Sequence, residues 1–596
     1  MRRAHLLRGN HTLEAPQSCI WVDTETHEES IGPQKVRHLL TFGWAVHQRT
    51  RAKDDWTEPD WFRFETAEEF WTWALSKTRA KTRLYIFAHN WGFDGPVLHA
   101  FSLLPSLGWK LRATVIESPP VILRWRSTDR SIVMLDTLNW WRMPLKKLGE
   151  RIGAAKLTMP DKDASKESWD VYCRQDVEVI RLTMFEWWAF LKTHRLGGFA
   201  PTLASQAMRA FRHRFLDHDV LLDDSEDALS LARTALAGGR VECFQIGKVQ
   251  GPVYHYDVNS MYPAVMEDQE YPTVLKATAR DARKDELARW LERWSVVAEC
   301  TVETDEPCYA LRQHDKLVFP VGHFRCSLTS PDLEYALHHD HLLQVHHAAV
   351  YTRGRIFARF VQELYKLRQQ AGAAGDGVST FMLKILMNSL YGKFAQRGTH
   401  WTRSHDTEDP SISQWKEIDA HTREIRHLRQ FSGTVQEKLR EEESYDSHPA
   451  IAAHVTAYAR RKLWEFIVKA GRENVFYCDT DSLFTNSAGA ARLAGSLDQS
   501  RLGALKHEAT YEWMTIRGAK DYETPKGLVV KGVRGRARWL GPNVVEHEEW
   551  SRLGGLVRQG QLDAPVVVKR TKTLRRVYEK GTVSASGRVV PFSILP

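Results

Sequence analysis

The chain has 596 residues, of which 43% are hydrophobic and 26% are charged, a composition typical of soluble globular proteins. This excludes collagen-like, disordered and disulfide-scaffold proteins, and the length favours several domains, since one domain takes about 150 residues. The net charge is +9. All of this excess lies in residues 526–596, which hold 14 Lys or Arg against 5 Asp or Glu. Such a basic segment indicates a polyanionic partner, most simply nucleic acid, although a solubilising surface explains it equally well.

The seven cysteines form no Cys-x-x-Cys pair, which indicates a reduced compartment and argues against a zinc ribbon. The first 16 residues lack the apolar stretch of a signal peptide. No apolar run approaches the ~20 residues that a membrane-spanning helix requires. We therefore expect a cytoplasmic protein with no membrane partner.

In chain order, strand-like and helix-like segments alternate over residues 17–195, which indicates an α/β domain. Strands are predicted at 19–22, ending at Asp23, at 84–88 and at 131–135, and a helix at 169–191. Residues 200–394 read as helix, strand and long helix, and the polar residues 395–450 read as a surface insertion. A helix at 454–466, a strand at 474–477, and short strands at 528–530 and 566–568 complete the predicted elements.

Residues 475–484 read Val-Phe-Tyr-Cys-Asp-Thr-Asp-Ser-Leu-Phe, which places Asp479 and Asp481 between two β-like flanks. In a hairpin, residues two apart point to the same side. The repulsion between two such carboxylates is relieved by a divalent cation. A simple Asx-type turn between strands is the alternative explanation.

Two further segments carry polar residues in unusual places. Asp257 follows a predicted strand at 253–256, where a strand-terminating turn is the alternative explanation. Lys384, Asn388 and Tyr391 are spaced i, i+4 and i+7 and therefore share one helical face. Gly392 is predicted to end that helix as a C-cap.

These three segments, in this order, resemble the polymerase motifs of family B DNA polymerases. They read Asp257-x-x-Ser260-Met261-Tyr262-Pro263, Lys384-x-x-x-Asn388-Ser389-Leu390-Tyr391-Gly392 and Tyr477-Cys478-Asp479-Thr480-Asp481-Ser482. Thr456-x-x-Ala459-Arg460 and Lys520-x-Tyr522 resemble motifs of the protein-primed branch, the replicases of small linear-genome phages and plasmids. Leu236-Ala237-Gly238-Gly239 resembles that branch's Tyr-x-Gly-Gly, with leucine in place of the tyrosine.

The resemblance implies a right-hand polymerase whose active site uses two divalent cations, Mg²⁺ or alternatively Mn²⁺. It implies that Asp257 and Asp481 hold the cations and that Asp479 supports them. The implied ligands of the incoming deoxynucleotide are Tyr262, Lys384, Asn388 and Tyr391. The implied DNA contacts are Gly238, Gly239, Ser260, Gly392, Thr456, Arg460, Lys520 and Tyr522.

The N-terminal region carries a second acidic set, in Asp23-Thr24-Glu25, Asn90-Trp91-Gly92-Phe93-Asp94 and Tyr172-Cys173-Arg174-Gln175-Asp176. Each aspartate alone is explained equally well as a cap. As an ordered triplet, the segments resemble DEDD-type 3′-to-5′ proofreading exonucleases. The resemblance implies two metals held by the carboxylates of Asp23, Glu25, Asp94 and Asp176, an orienting Tyr172 and an assisting Lys156.

For the single-stranded primer end, the resemblance implies Thr26, Asn90, Phe93, Thr137 and Leu138 as ligands. Trp140 and Trp141 could stack on unpaired bases, but core packing explains these two tryptophans equally well.

The predicted fold is a multidomain α/β and α+β protein, an RNase H-like exonuclease domain followed by the palm, fingers and thumb of a right-hand polymerase. The predicted divisions are the exonuclease domain (1–195), palm with the first motif (196–270), a terminal-protein-contacting insertion (271–350), fingers (351–394), a strand-displacement insertion (395–450), palm with the third motif (451–525) and thumb (526–596). A polar loop without function is the alternative for the second insertion.

The implied partners are template-primer DNA, single-stranded DNA, dNTPs and a terminal protein that primes synthesis. We expect a monomer that works in the cytoplasm of a bacterial host, encoded by the host or by a virus. The alternatives are a family B polymerase of a mobile element that extends ordinary primers or needs none, and a catalytically inactive DNA-binding relative.

Overall fold

The computed structural model describes residues 3–52, 55–117, 119–398, 401–409, 411–439, 442–560 and 562–595. The predicted domain limits at residues 1 and 596, and residues 399, 400, 410, 440 and 441 of the predicted second insertion, lie outside this description. Within the described part of the chain, no helix combines the length and apolar character needed to cross a membrane.

The N-terminal region is built on a large mixed sheet. Its main path runs Arg538–Gly541, Val544–Trp550, Val566–Thr573, Lys35–Ala52, Ser18–Gly32, Arg83–Ala88, Arg130–Asp136, Val121–Ser127 and Lys110–Ile116, with Asp55–Trp56 and Asp60–Phe64 paired to Lys35–Ala52. The strands Ser18–Gly32, Arg83–Ala88 and Arg130–Asp136 are parallel. Helices at Ala67–Ser76, Trp91–Val97, Ala100–Ser106, Leu145–Ile152 and Lys166–Thr193 and a 3₁₀ turn at Thr137–Asn139 complete this region.

The predicted strands and the predicted helix of this region are confirmed, except for one boundary. The first predicted strand does not end at Asp23 but continues to Gly32. It continues because Lys35–Ala52 pairs with it along this whole length, so the polar residues after Asp23 remain in the ladder. The segment 566–573 pairs with residues 35–37, so the basic end of the chain extends the N-terminal sheet.

The central region has a seven-stranded antiparallel sheet. Its order is Val241–Cys243, Val475–Asp479, Ser482–Thr485, Gly247–Val258, Leu505–Gly518, Asp521–Thr524 and Gly527–Val530. The helices Met261–Asp268, Pro449–Ala470 and Ser487–Leu493 and short 3₁₀ turns at Arg472–Asn474 and Ala494–Ser496 accompany it. The predicted strands at 253–256 and 528–530 and the predicted helix at 454–466 lie within these elements, and the predicted strand at 474–477 is confirmed except for Asn474, which belongs to a 3₁₀ turn.

A five-stranded sheet, ordered Tyr271–Arg280, Leu342–Gly354, Ser295–Thr304, Val321–Thr329 and Ser593–Ile594, follows the first central helix in the chain. The helices Lys284–Arg293 and Ser330–His338 and the hairpin Leu311–Gln313 with Lys316–Val318 belong to it. The last strand of the chain therefore pairs with the predicted first insertion.

Two consecutive helices, Ala358–Ala373 and Gly377–Phe394, pack against each other and against the helix Met261–Asp268. The second carries the Lys384 face, as predicted, but the prediction that Gly392 ends it is wrong. Gly392 lies in its last turn, and the C-cap is Ala395. Buried Leu390 and Phe394 continue the apolar stripe beyond Gly392, which extends the helix by packing. Helices Leu203–Ala210 and Glu226–Ala235, a π-helical turn at Phe211–Phe215 and the strand pair His5–Leu6 with Leu221–Leu222 complete this part.

The second predicted insertion is not a structureless loop. It forms a four-stranded antiparallel sheet, ordered Trp401–Asp406, Thr434–Lys438, Ile425–Phe431 and Ser413–Ile418, on a stem made by Arg397–Gly398 and Glu442–Glu443. Phe431 is fully buried in the same apolar core as Phe101 and the C-terminal helix Leu553–Gln559. A last hairpin, Thr582–Val583 with Val589–Val590, precedes the C-terminus.

Candidate active sites

The central sheet brings Asp257 and Asp481 together. Asp257 lies on the strand Gly247–Val258 and pairs in register with Ser482 of the neighbouring strand. The backbone N–H of Val258 donates to the carbonyl oxygen of Asp481 at 2.8 Å. Two segments that are far apart in the chain are thereby fixed side by side.

A cavity of about 240 Å³ opens in front of these two carboxylates. Its wall includes the four predicted residues Tyr262, Lys384, Asn388 and Ser260, and also Tyr365, Arg368, Lys506 and Glu508, which sequence reasoning missed. Arg368 donates to the Ser260 hydroxyl at 3.2 Å. The missed residues lie on a long helix and a β-strand without a recognisable motif, so only the alignment of these elements with Asp257 reveals them.

The electrostatics of this cavity favour positive charge. Burial first, and then the charges of Asp481 and Glu508, raise the pKa of Asp257 to about 7, against the opposing effect of Lys384 and Lys506. Burial also raises the pKa of Asp481. The two carboxylates thus repel each other in a partly desolvated place, and a bound cation would relieve that repulsion.

Asp479 has a different environment from Asp481. Thr480 between them has a φ of 63°, and the N–H of Asp481 donates to the Asp479 carbonyl oxygen at 2.7 Å. The regular alternation of a strand therefore stops in this turn. The Asp479 carboxylate lies 3.0 Å from the Lys520 ammonium, whereas Asp481 faces the cavity with Asp257.

The aromatic pair at the cavity consists of Tyr262 and Tyr391, whose rings stack with centroids 4.4 Å apart. Asn388 donates its amide N–H to the backbone carbonyl of Lys384 at 2.9 Å, one turn earlier in the same helix. Tyr262 lines the cavity, and Tyr391 packs on its ring.

The two glycines Gly238 and Gly239 differ in their surroundings. A Cβ on Gly239 would lie 2.7 Å from the Cγ2 of Thr480, whereas a Cβ on Gly238 would meet nothing within 4 Å. The Thr480 N–H also donates to the Arg240 carbonyl oxygen at 2.7 Å. Gly239 is therefore the residue that lets this segment lie against the turn between Asp479 and Asp481.

Thr456 and Arg460 are buried in the helix Pro449–Ala470. The Thr456 hydroxyl donates to the carbonyl of Ala452, and Arg460 donates to the carbonyl of Ala237 at 2.8 Å. Arg460 therefore supports the 236–240 segment, whereas the Thr456 hydroxyl bonds within its own helix.

Lys520 lies in the turn between the strands Leu505–Gly518 and Asp521–Thr524, and Tyr522 lies on the second of them. The Lys520 backbone N–H donates to the Tyr477 hydroxyl at 3.0 Å. The Tyr522 ring lies 5.3 Å from the ring of Tyr477. Both residues are thus held against the strand that leads to Asp479.

The N-terminal region contains the second carboxylate cluster. Ligand atoms of Asp23, Glu25 and Cys173 all lie within 4.8 Å of one another. Burial raises the pKa of Asp23 to about 6, with Lys156 opposing, and burial followed by the charge of Asp23 raises the pKa of Glu25 to about 8. Cys173 was not predicted as part of the site; its position next to Tyr172 was the available signal.

Asp94 and Asp176 complete this cluster from two helices. The hydroxyl of Thr24 donates to Asp94 at 2.7 Å, and burial raises the pKa of Asp94 well above its usual value. Asp176 pairs with Lys156, whose ammonium lies 4.3 Å from the centroid of the Tyr172 ring. The second oxygen of Asp176, Oδ1, is buried and has no hydrogen-bond partner among the described residues.

Both carboxylate clusters fit divalent cations. Their donors are mainly hard carboxylate oxygens, which Mg²⁺ prefers. The pKa values of Asp257, Asp23 and Glu25 are raised, and Oδ1 of Asp176 has no hydrogen-bond partner among the described residues. The positive charges and hydrogen-bond donors of the protein therefore do not fully stabilise these carboxylates in their ionised form.

Asp136, which was not predicted as a site residue, fixes the backbone of two predicted single-strand ligands, Asn90 and Leu138. Its carboxylate accepts the backbone N–H groups of Asn90 at 2.9 Å, Trp91 at 3.0 Å and Leu138 at 2.9 Å. Asn90 itself has a φ of 90°. Asp136 therefore joins the loops that follow two parallel strands.

Phe93 is covered by a residue from the end of the chain. The Trp550 ring lies 5.7 Å from the Phe93 ring and 5.1 Å from the ring of His38, centroid to centroid. His38 in turn lies 3.1 Å from the Thr26 hydroxyl. Trp550 thus belongs to the same aromatic surface as two of the predicted ligands.

Trp140 and Trp141 belong to the core and are 2% and 1% exposed. The Trp140 indole N–H donates to the carbonyl of Ala200 at 3.2 Å. Core packing is therefore the correct explanation for these two tryptophans. Thr137, predicted as a single-strand ligand, is also buried, at 1% exposed, and its hydroxyl lies 2.8 Å from the Nδ1 of His89, beside the Asn90 loop.

The chain matches one protein family over residues 154–470, the DNA polymerases of type B from organelles and viruses. Among curated proteins, a DNA polymerase of Kluyveromyces lactis is 26% identical over 61% of this chain and 38% of its own length. A DNA polymerase of Streptococcus phage Cp-1 is 24% identical over 76% of this chain and 80% of its own. The chain spans between 26% and 38% of the first three curated relatives.

Among solved structures, Phi29 DNA polymerase complexed with primer-template DNA is similar, with a TM-score of 0.66 and 16% identity. The similarity covers 94% of this chain and all of that one. The complex of the same polymerase with primer-template DNA and incoming nucleotide also has a TM-score of 0.66. The exonuclease, palm, fingers and thumb architecture predicted from the sequence is thereby confirmed as the fold.

Proposed function

Since the chain belongs to the organellar and viral DNA polymerases of type B, we propose that it is a DNA-templated DNA polymerase with its own 3′-to-5′ proofreading exonuclease. The observation that carries this proposal is the meeting of Asp257 and Asp481 in one cavity with Lys384. Its substrates would be template-primer DNA and dNTPs, which similar Phi29 polymerase holds in its complexes.

In the polymerase site, Asp257 and Asp481 would hold the cations, and the Asp479–Lys520 pair would keep the turn in place. When bound, the two divalent cations supply charge neutralisation and activation of the attacking oxygen, at both carboxylate sites. Lys384 would bind phosphate oxygens of the nucleotide as a point charge. The stacked Tyr262 and Tyr391 would leave no room for a ribose 2′-hydroxyl and would support the nascent base pair.

In the exonuclease site, Asp23, Glu25, Asp94 and Asp176 would hold the cations. Lys156 lies between Asp176 and the ring of Tyr172, so it would hold both groups in position. Tyr172 would orient the attacking water through its hydroxyl. Phe93, with the loop carrying Asn90, would hold the unpaired 3′ end by stacking and hydrogen bonds.

Strand displacement is the proposed role of residues 395–450. The support is that their sheet is fixed to the N-terminal region, through the Lys110–Asp406 pair at 2.9 Å and the Ser432 hydroxyl, which donates to the Phe101 carbonyl at 2.9 Å. The C-terminal helix Leu553–Gln559 packs into the same core. A duplex entering beside such a fixed wall would have to separate its strands.

Priming by a terminal protein, contacted by residues 271–350, is also part of the proposal, as are a monomeric state and action in the cytoplasm of a bacterial host. The support is the resemblance of the Thr456 and Lys520 motifs to the protein-primed branch. The basic residues 526–596 would grip the phosphates of the duplex in a salt-dependent way.

Primer extension tests the polymerase proposal. With Mg²⁺, an annealed template-primer and dNTPs, the chain should extend the primer, and Asp257→Asn or Asp481→Asn should lower the rate by roughly a thousandfold or more. Asp163→Asn, at an exposed aspartate, is the matched control. A wild-type chain that binds the DNA but adds nothing would instead identify an inactive relative.

The exonuclease proposal needs a separate pair of variants. Asp23→Asn with Glu25→Gln should abolish degradation of a mismatched 3′ end and leave extension unchanged. Loss of both activities would contradict two independent sites.

For priming, the deciding observation is transfer of a first nucleotide to a hydroxyl of a separately encoded small basic protein. Extension of ordinary primers only would favour a mobile-element polymerase.

A further inference from the structure

A third cluster of metal-binding side chains lies outside both carboxylate sites. Ligand atoms of Glu306, His339 and His341 all lie within 4.8 Å of one another. Glu306 follows the strand Ser295–Thr304, and the two histidines lie between the helix Ser330–His338 and the strand Leu342–Gly354. The cluster therefore joins three elements of the five-stranded sheet region.

We propose that Glu306, His339 and His341 form a structural binding site for a Zn²⁺-type divalent cation. Two imidazole nitrogens and one carboxylate oxygen are a ligand set that suits Zn²⁺, unlike the all-oxygen sets of Mg²⁺. In a tetrahedral zinc site with bonds of about 2.0–2.1 Å, ligand atoms lie roughly 3.3 Å apart. A bound ion would draw the three ligand atoms from within 4.8 Å to that spacing, with water as the fourth ligand.

His341 is oriented for this role by a hydrogen bond on its far nitrogen. Its Nδ1 lies 2.9 Å from the Tyr309 hydroxyl. The other nitrogen, Nε2, has the Thr304 hydroxyl at 3.5 Å, which is too long for a strong hydrogen bond. A metal-binding histidine is commonly held in this way, through its second nitrogen, by a neighbouring polar group.

Glu306 is held in a similar way. The Tyr335 hydroxyl donates to its Oε2 at 2.6 Å, so Oε1 is the proposed metal ligand. The backbone N–H of Glu306 donates to the Thr304 hydroxyl at 3.0 Å, which fixes the turn after the strand.

His339 packs on the same tyrosine, with its ring stacked 4.0 Å from the ring of Tyr335. It is the residue directly after the helix Ser330–His338, where the helix dipole is negative and favours a cation. His339 is exposed, whereas His341 is 8% exposed. Solvent can thus deliver the ion and supply the water ligand.

The proposed ion would stiffen the link between this sheet and the central region. The guanidinium of Arg461, on the helix Pro449–Ala470, lies 3.6 Å from the ring centroid of Tyr335. Glu306 and His339 both contact Tyr335. An ion that holds these two residues would therefore also hold the Tyr335 ring on which Arg461 packs.

Metal titration of the full chain tests this proposal. The background variant carries Asp23→Asn, Glu25→Gln, Cys173→Ser, Asp257→Asn and Asp481→Asn, because both carboxylate sites would themselves bind divalent cations. After removal of metal with a chelator, Co²⁺ is added as a visible probe of imidazole ligation, and bound Zn²⁺ is counted by elemental analysis after dialysis. The background should bind one equivalent with a Co²⁺ absorption band, and Zn²⁺ should raise its thermal midpoint.

His339→Ala is the decisive variant, because an exposed residue can be replaced without disturbing folding. It should lose the equivalent or weaken its binding by at least tenfold, and lose the thermal shift. His338→Ala, an adjacent exposed histidine outside the cluster, should behave like the background, and Glu306→Gln should weaken binding about tenfold. Equal stoichiometry and affinity in the background and in His339→Ala would overturn the proposal.

Discussion

The two carboxylate sites of this chain solve the same electrostatic problem in different ways. The exonuclease cluster lies within one region and contains its own cation, Lys156, bound to Asp176. The pair Asp257 and Asp481 faces a cavity, and Lys384, a cation in its wall, comes from a separate helix. The exonuclease cluster is therefore largely preorganised. The site of Asp257 and Asp481 depends instead on how the helices Ala358–Ala373 and Gly377–Phe394 are placed relative to the central sheet. Variants that alter the internal cation of the first site, or the backbone approach in the second, should therefore have separable effects.

Among the variants that test this comparison, the largest effect is expected from the loss of the Lys156 ammonium. Lys156→Met should lower exonuclease activity by roughly 10- to 100-fold, the scale seen when a group supporting a metal ligand is removed, and should leave primer extension unchanged. Degradation of labelled single-stranded DNA, measured beside extension, checks this.

Lys146→Met and Lys147→Met are the controls, because both lysines are exposed on the helix Leu145–Ile152, which shortly precedes Lys156. If either control lost as much exonuclease activity as Lys156→Met, the assignment of Lys156 would be wrong.

A smaller effect, confined to synthesis, is expected at Gly239. The Cβ of Gly239→Ala would lie 2.7 Å from Thr480, and relieving that overlap should displace the turn before Asp481, at a cost of about 1–3 kcal/mol. Extension should fall about tenfold or more while degradation of single strands persists. Gly238→Ala has free space for its Cβ and should extend primers nearly as well as the wild type; equal losses in both variants would contradict this explanation.

Trp550 tests how far the exonuclease site depends on the end of the chain. Trp550→Ala removes the ring that packs on Phe93 and His38. Since stacking on one base contributes about 1–3 kcal/mol, loss of a ring that supports Phe93 should weaken single-strand binding by a few-fold. The measurement is the KM for a short single strand, with Trp539→Ala, on the neighbouring strand, as the control. An unchanged KM would show that Trp550 only packs against Phe93.

The smallest effect concerns stability against pH in metal-free protein. The folded state raises the pKa of Glu25 from 4.5 to about 8, so it binds more protons than the unfolded state, and stability falls as pH rises through that interval. Glu25→Gln should therefore raise the thermal midpoint at pH 8, by about 2–4 °C for each kcal/mol relieved in a domain of this size, and leave it unchanged at pH 4.

Thermal scans from pH 4 to 8 measure this, with Glu28→Gln, exposed on the same strand, as the control. Parallel wild-type and Glu25→Gln profiles would contradict the assignment, and Mg²⁺ should abolish the difference by stabilising the wild type.

The sequence alone predicted the elements that carry local patterns. The buried strands before Asp23 and Asn90, the helix bearing Tyr172 and the helical face of Lys384 are confirmed, because apolar periodicity and residue spacing are local properties. The ordered motifs also predicted the family, which no single motif could have done.

Residues that reach the site only through tertiary pairing could not be predicted from the sequence. Glu508 reaches Asp257 only because its strand pairs with Gly247–Val258. Asp136 was missed because its role is to accept backbone N–H groups of Asn90 and Leu138, and an aspartate at a strand end has many simpler explanations. The helix end at Gly392 was mispredicted because packing of Phe394 outweighed the local preference of glycine.

The pairing of residues 566–568 with residues 35–37 has a consequence for biosynthesis. The N-terminal sheet leaves the ribosome with that edge unprotected, and its partner strand is made some 530 residues later. At about 5–20 residues per second, the interval is roughly half a minute to two minutes. Throughout that time the nascent edge is open to pairing with other chains, and a transcript truncated near its 3′ end would release a protein in which that edge never closes.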